Sequence, residues 1–192
     1  MTKISIAVMA IVLLAASLFT MQAQAQISYG AKAGIAITNF KADGESEKSK
    51  TGLVLGAFGR YDFSGQFAAQ AELLYAQSGA KESAGSYNFS YLNVPLLARY
   101  TAWKGLYLAT GPQLGFLLSA HTKENNGDKE DIKEYLKGTD ISWVIGAGYE
   151  LENGIGADIR FVPGLTDISD NNANIKNTAV QVTLSYKFGK KK

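Results

Sequence analysis

Cysteine is absent from the 192 residues. The chain therefore has no disulfide, no thiolate-built zinc centre, no cysteine nucleophile and no lipidated cysteine behind an export signal. Histidine occurs once, as His121, and HTKENNGD supplies it no partner at the spacing that a relay or a metal site needs. Long apolar runs are also missing. Beyond residue 20 no stretch approaches the roughly eighteen apolar residues of a membrane helix. Excess charge of one sign is lacking too: the formal net charge is +2, which gives no electrostatic footprint for nucleic acid. Prolines number three against twenty glycines, a balance that suits strands and tight turns.

What is present begins with an export signal. Lys3, an apolar run from Ile4 to Phe19, and the small residues Ala23 and Ala25 in MQAQA form a secretory signal peptide over residues 1–25, with cleavage expected after Ala25. Residues 26–192 then make one domain. An exported chain without a later membrane helix can enter a bilayer only as a closed barrel.

The closing segment carries the pattern such a barrel needs. TAVQVTLSYKF puts Val180, Val182, Leu184, Tyr186 and Phe188 on one face, and Gln181, Thr183, Ser185 and Lys187 on the other. Similar alternation predicts eight strands, at roughly 27–40, 51–63, 66–78, 87–100, 105–120, 139–151, 154–166 and 177–188. Connections after the odd strands are long and polar, and those after the even strands (SGQ, TAWKG, ENG) are short. Outer-membrane barrels alternate their loops in this way, and an even strand count returns the C-terminus to the periplasm. The expected fold is therefore all-β: an eight-stranded antiparallel up-and-down transmembrane β-barrel behind a cleavable signal peptide, lodged in outer-membrane lipid.

Parity assigns the faces. The outward face is apolar and without formal charge inside the strands, the opposite of a soluble lipocalin-like barrel. Its aromatics Tyr29, Tyr61, Phe63, Phe67, Tyr100, Tyr149, Tyr186 and Phe188 gather near the short turns, as half of an interfacial girdle. Inward positions include Lys32, Arg60, Asp62, Glu72, Arg99, Glu150, Asp158, Arg160 and Lys187, all in the periplasmic half. Their near-cancelling charges read as an ionic plug, because an eight-stranded barrel is just wide enough for side chains to fill. The upper lumen is assigned Gly52, Val54, Gly56, Ala76, Tyr87, Phe89, Tyr91, Asn93, Gly115 and Gly146. Pro95, Pro112 and Pro163 fall inside proposed strands, where a missing N–H calls for a bulge or a strand end.

Chemistry is harder to find. Glu72 and Asp158 could pair for acid–base work, but the arginines on the same stretch make ion pairing the plainer account. DGESEKS and ENNGDKED lack the ligand order of a calcium loop, so no metal and no cofactor is expected. His121 opens the longest loop, 121–139, as a solvated side chain. Within that loop KEDIKEYLK spaces Ile132 and Leu136 four apart, compatible with a short amphipathic helix or a solvated segment. As the longest exposed stretch, 121–139 is where a protein partner would be met.

The segments GAKAGIAITNF, AAQAELLYAQSG, YLNVPLLARY, YLATGPQLGFLLS, DIRFVPGLTDIS and LSYKF, in that order, resemble the PorT-like outer-membrane β-barrel proteins. Pro95 in NVPLL and Pro112 in GPQLG match recurring positions of that family. The resemblance implies an eight-stranded outer-membrane barrel of Gram-negative type. It implies no secretion role for this chain, and the tail GKKK after Phe188 departs from barrels that end on the aromatic residue. The functional expectation is a non-enzymatic barrel acting structurally or through its extracellular loops. The alternative is transport or binding of a small solute in the upper lumen, and a membrane-embedded lipid-modifying enzyme or protease ranks below both.

Overall fold

Alternation in the sequence becomes alternation of exposure in the computed structural model of the chain, which describes residues 26–42, 45–46, 48–81, 85–124, 129–131, 133, 137–166 and 176–188. The segment 1–25 read as a signal peptide, Ile132 and Leu136 of the stretch read as a short amphipathic helix or a solvated segment, and the tail after Phe188 lie outside the described residues. Among those described, ten strands join one sheet: β1 (Gln26–Ala42), β2 (Glu45–Ser46), β3 (Lys48–Asp62), β4 (Phe67–Lys81), β5 (Gly85–Trp103), β6 (Leu106–Glu124), β7 (Lys129–Asp131), β8 (Thr139–Glu150), β9 (Ile155–Pro163) and β10 (Lys176–Phe188). Eight are staves of the barrel, and β2 and β7 are short additions to the outer ends of β1 and β6.

Each stave pairs antiparallel with its neighbour in the chain. β10 then returns to β1 in an unbroken ladder from Tyr29↔Phe188 to Lys41↔Lys176. Closure leaves no stave with a free edge, which lipid demands because it offers no hydrogen bonds. The lower turns are tight. At Lys104–Gly105 both residues have positive φ (35° and 91°), the two-residue hairpin geometry whose twist matches the flanking strands.

β9 shows how one strand serves two solvents. Ile155, Ala157, Ile159 and Phe161 are exposed outward, while Gly156, Asp158, Arg160 and Val162 are buried inward. At the lower rim the aromatic residues pack in pairs: Tyr29 with Phe188 at 6.0 Å, Tyr61 with Phe63 at 4.9 Å, Phe67 with Tyr100 at 5.0 Å and Tyr186 with Phe188 at 5.3 Å between ring centres. Higher on the outer face Trp143 Nε1 donates to Thr110 Oγ1 at 2.9 Å, and Thr110 Oγ1 donates to the Val144 carbonyl at 2.9 Å. Polar groups on the lipid side are thus tied to protein.

Two expectations need correction. His121 is not in a loop: it lies on β6, half-buried, paired with Asn88 on β5 and Asp131 on β7. The β5–β6 hairpin outruns the predicted strands because backbone pairing continues past the point where lipid requires an apolar face. Bulges are also not where the prolines are. The β4–β5 and β5–β6 ladders keep register across Pro95 and Pro112 and only skip pairs beside them, whereas the β5–β6 register shifts at Ser90/Tyr91 and Thr101/Trp103. A missing N–H deletes a rung without forcing an extra residue. Pro163 does end its strand.

Gly30 shows how tightly the closure seam is packed. A Cβ there would sit 2.3 Å from the Tyr186 carbonyl oxygen and 2.4 Å from Phe58 Cζ. Gly30→Ala is expected to lower stability by about 1–3 kcal/mol through overpacking, measured by urea titration of the refolded protein in detergent.

Candidate functional site

The interior of the barrel concentrates the polar chemistry, and period-two geometry is what puts it there. All nine charged residues assigned inward from the sequence lie in ion-paired networks, divided between two groups. The deeper group joins β1, β4 and β9. Lys32 Nζ lies 3.1 Å from Glu72 Oε1 and 2.9 Å from Asp158 Oδ2. Arg160 reaches Glu72 with Nη1 at 2.7 Å and Nη2 at 2.8 Å, and its Nε is 2.7 Å from Asp158 Oδ1. All four side chains are buried.

Three neutral residues complete this group. Gln70 Nε2 donates to Glu72 at 2.5 Å, Tyr107 Oη to Asp158 Oδ2 at 3.1 Å, and Thr183 Oγ1 to Asp158 Oδ1 at 2.9 Å. The sequence reading put Thr183 on the polar face of the closing strand but, following formal charge, left all three out of the cluster. Inward parity on β4, β6 and β10 was the signal that marks them.

The second group lines the periplasmic mouth. Glu150 receives Arg60 at 2.7 Å, Arg99 at 3.1 Å and Lys187 at 2.6 Å, and Asp62 lies 3.2 Å from Arg60 Nε. Arg99 also stacks its guanidinium over the Tyr107 ring at 3.4 Å, which couples the two groups. This mouth opens into a cavity of about 640 Å³ that Lys104 and Glu152 also line. Water reaches the outer members, so their pairs contribute less than the buried ones.

Toward the outside the lining changes. The next inward residue after Glu72 is Leu74, and after Arg160 it is Val162; with Val54 and Val144 they make the apolar layer next above the charges, buried in two separate clusters, Val54 with Leu74 and Val144 with Val162. Gly146, assigned to the upper lumen, instead faces Arg160 at the ionic level, where a Cβ would meet Arg160 Cγ at 2.8 Å. Above the apolar layer Ala76, Phe89, Tyr91 and Asn93 are inward and buried, as expected. The Tyr87 side chain lies outside the described residues.

Glu72 and Asp158 are each held by two cations, which leaves neither carboxylate poised to move a substrate proton. Among the described residues no group of three His, Asp or Glu side chains is placed to hold a metal.

The sequence pattern of the family described as outer membrane protein beta-barrel domain matches residues 22–170. Among solved structures the fold is similar to that of Ail, the attachment invasion locus protein of Yersinia pestis, which is 19% identical with a TM-score of 0.53. The match covers 85% of this chain and 99% of Ail, whose structure contains the heparin analogue sucrose octasulfate. Neisserial surface protein A is 10% identical with a TM-score of 0.62, again over 85% of this chain and 99% of that one. No curated protein matches the chain. At these identities the likeness is one of fold.

Proposed function

Since the chain belongs to the outer membrane protein beta-barrel domain family, we propose that this non-enzymatic barrel of the bacterial outer membrane works through its extracellular loops, with segment 121–139 as the principal contact. The observation that carries this reading is the outward rise of β3, β4, β5 and β6 together, in a ladder running from Lys48↔Lys81 through Lys81↔Ser86 to Ser86↔Lys123. β7 adds to it through the pairs His121↔Asp131 to Lys123↔Lys129. A five-stranded platform of this kind presents its connecting segment at reduced entropic cost to a partner. Lys133, exposed on that segment, is anchored to the platform by its Nζ donating to the Leu118 carbonyl at 3.1 Å.

The filled interior supports the same reading over solute transport. Leu74, Val54 and Val144 are fully buried across the barrel, immediately outside the four buried charges. Placement in the PorT-like branch, supported by the order of motifs around Pro95 and Pro112, and cleavage of residues 1–25 are parts of the proposal.

Photo-crosslinking from a reactive side chain placed at position 133 in intact cells tests it. A discrete protein adduct, absent when the same reactive side chain is placed at the lipid-facing position 159, is the expected result. Crosslinks to lipopolysaccharide and water alone, with an intact barrel, would remove the protein-partner reading.

A further inference from the structure

Among the described residues, three rungs at the outer end of the barrel set lysine directly opposite lysine. Lys41↔Lys176 joins β1 to β10, Lys48↔Lys81 joins β3 to β4, and Lys123↔Lys129 joins β6 to β7. Ser86 links the second and third pairs into one row, Lys48, Lys81, Ser86, Lys123 and Lys129, across five strands. At about 4.8 Å per strand this row is about 19 Å long.

Register places all six on the outward face. The unbroken β1–β10 ladder gives Lys41 and Lys176 the parity of the exposed pair Ile37 and Val180. The β4–β5 ladder runs without a shift from the exposed pair Phe67↔Tyr100 to Lys81↔Ser86, and Lys48, Lys123 and Lys129 join that face through their pairing. Acids do not share these rungs. Glu45, Glu124 and Glu130 stand one residue off them and take the opposite face. Asp131, opposite His121, is the one acid on the lysine face at this end among the described residues.

Like charges directly opposite on a ladder destabilise it, and an anion between them reverses the sign. Cα partners are only about 5 Å apart, so one phosphate can accept from both ammonium groups of a pair. Height identifies what carries that phosphate. Neutral rungs, Asn39↔Thr178 and Gln77↔Ser90, separate the lysines from Ile37 and from Tyr75, whose Oη lies 3.0 Å from Ser90 Oγ. At about 3.3 Å per residue and a tilt near 40°, Lys41 stands about 10 Å above Ile37, and Lys81 about 15 Å above Tyr75. A phospholipid headgroup layer is about 5–8 Å thick, so an anion at that height belongs to a longer, sugar-bearing headgroup. We infer that these three lysine pairs form a collar that binds phosphorylated glycolipid of the outer leaflet, one headgroup phosphate to each pair. The collar faces the surrounding membrane, and this contact is independent of any protein met by the loops.

The test titrates the full barrel, refolded in zwitterionic detergent, and counts retained molecules by native mass spectrometry. Three probes are compared: phosphorylated rough lipopolysaccharide, the same glycolipid stripped of its phosphates, and inositol hexakisphosphate as a soluble source of phosphate. The expected result is saturable retention of the phosphorylated glycolipid, up to three per barrel. Its affinity should exceed that of the stripped form by about 25-fold, at about fivefold for each of two lysines. Two double variants, Lys41→Gln with Lys176→Gln and Lys48→Gln with Lys81→Gln, should each lose one retained glycolipid, and arginine at the same positions should keep it. Both lie outside 121–139, so their outcome does not depend on the protein contact proposed there. Heat-modified gel mobility checks that each variant folds, and the comparison of the two glycolipids on the unaltered chain stands if one does not. Equal retention of the phosphorylated and stripped glycolipids would overturn the proposal, as would an unchanged count in both folded glutamine variants. Tighter binding of inositol hexakisphosphate than of the phosphorylated glycolipid would assign the lysines to a soluble polyanion and overturn the membrane assignment.

Discussion

Glu72→Ala is expected to lower the unfolding free energy by about 3–5 kcal/mol, the usual cost of removing one partner from a buried ion pair. The reason lies in the charge count of the deep group. Lys32 and Arg160 balance Glu72 and Asp158, and every one of these side chains is at most 2% exposed. Deleting Glu72 strips Lys32 of one contact and Arg160 of two, and leaves a net buried positive charge that no water can reach. The pair Lys32→Met with Glu72→Leu restores neutrality and keeps Arg160 against Asp158 at 2.7 Å. That double variant is therefore expected to be more stable than Glu72→Ala, even though it removes more polar atoms. Urea unfolding of the refolded proteins in detergent measures both. If the double variant proved less stable than the single one, the loss would have to be assigned to packing and not to uncompensated charge.

Ile159→Arg is expected to cost about 2–4 kcal/mol, the range for a cationic side chain near the bilayer midplane on the lipid face of a barrel. Ile159 is 56% exposed to the outside and sits between Val182 on β10 and Ala147 on β8. Its neighbours on the same face are apolar, so an arginine there finds no counter-charge and must reach for the interface. Ile159→Ala is the control: lipid tails fill the space left by the side chain, and the loss stays below about 1 kcal/mol. Folding yield in lipid vesicles, followed by gel mobility, separates the two variants. Equal yields for Arg and Ala would show that this face does not meet hydrocarbon.

The contrast between these two positions explains how much of the barrel was legible in the chain. Asp158 and Ile159 are adjacent, and the strict period of two sends one inward and the other outward whatever the rest of the fold does. Alternation therefore located all eight staves and all nine inward charges. It failed where the constraint of lipid ends. Nothing in HTKE distinguishes a strand continuing into water from a loop, so the extension of β6 to Glu124, with His121 on it, had to come from the pairing itself. The prolines misled for a related reason: a residue type reports a missing donor, but only the ladder shows whether the register shifts to absorb it.

By itself, the sequence determined the architecture: strand number, the direction of each side chain, and the balance of charge in the lower lumen. These follow from local periodicity and composition, which operate within a dozen residues. Only the tertiary structure decided which inward charges meet. Shared parity cannot tell that Lys32 and Arg160 close on Glu72 while Arg60, Arg99 and Lys187 converge on Glu150, because strand tilt and ladder register set those encounters across many residues of chain. The same register left Asp140 buried in a small chamber near the outer end of the barrel. That chamber arises from seven strands meeting around one axis, and no single segment carries it.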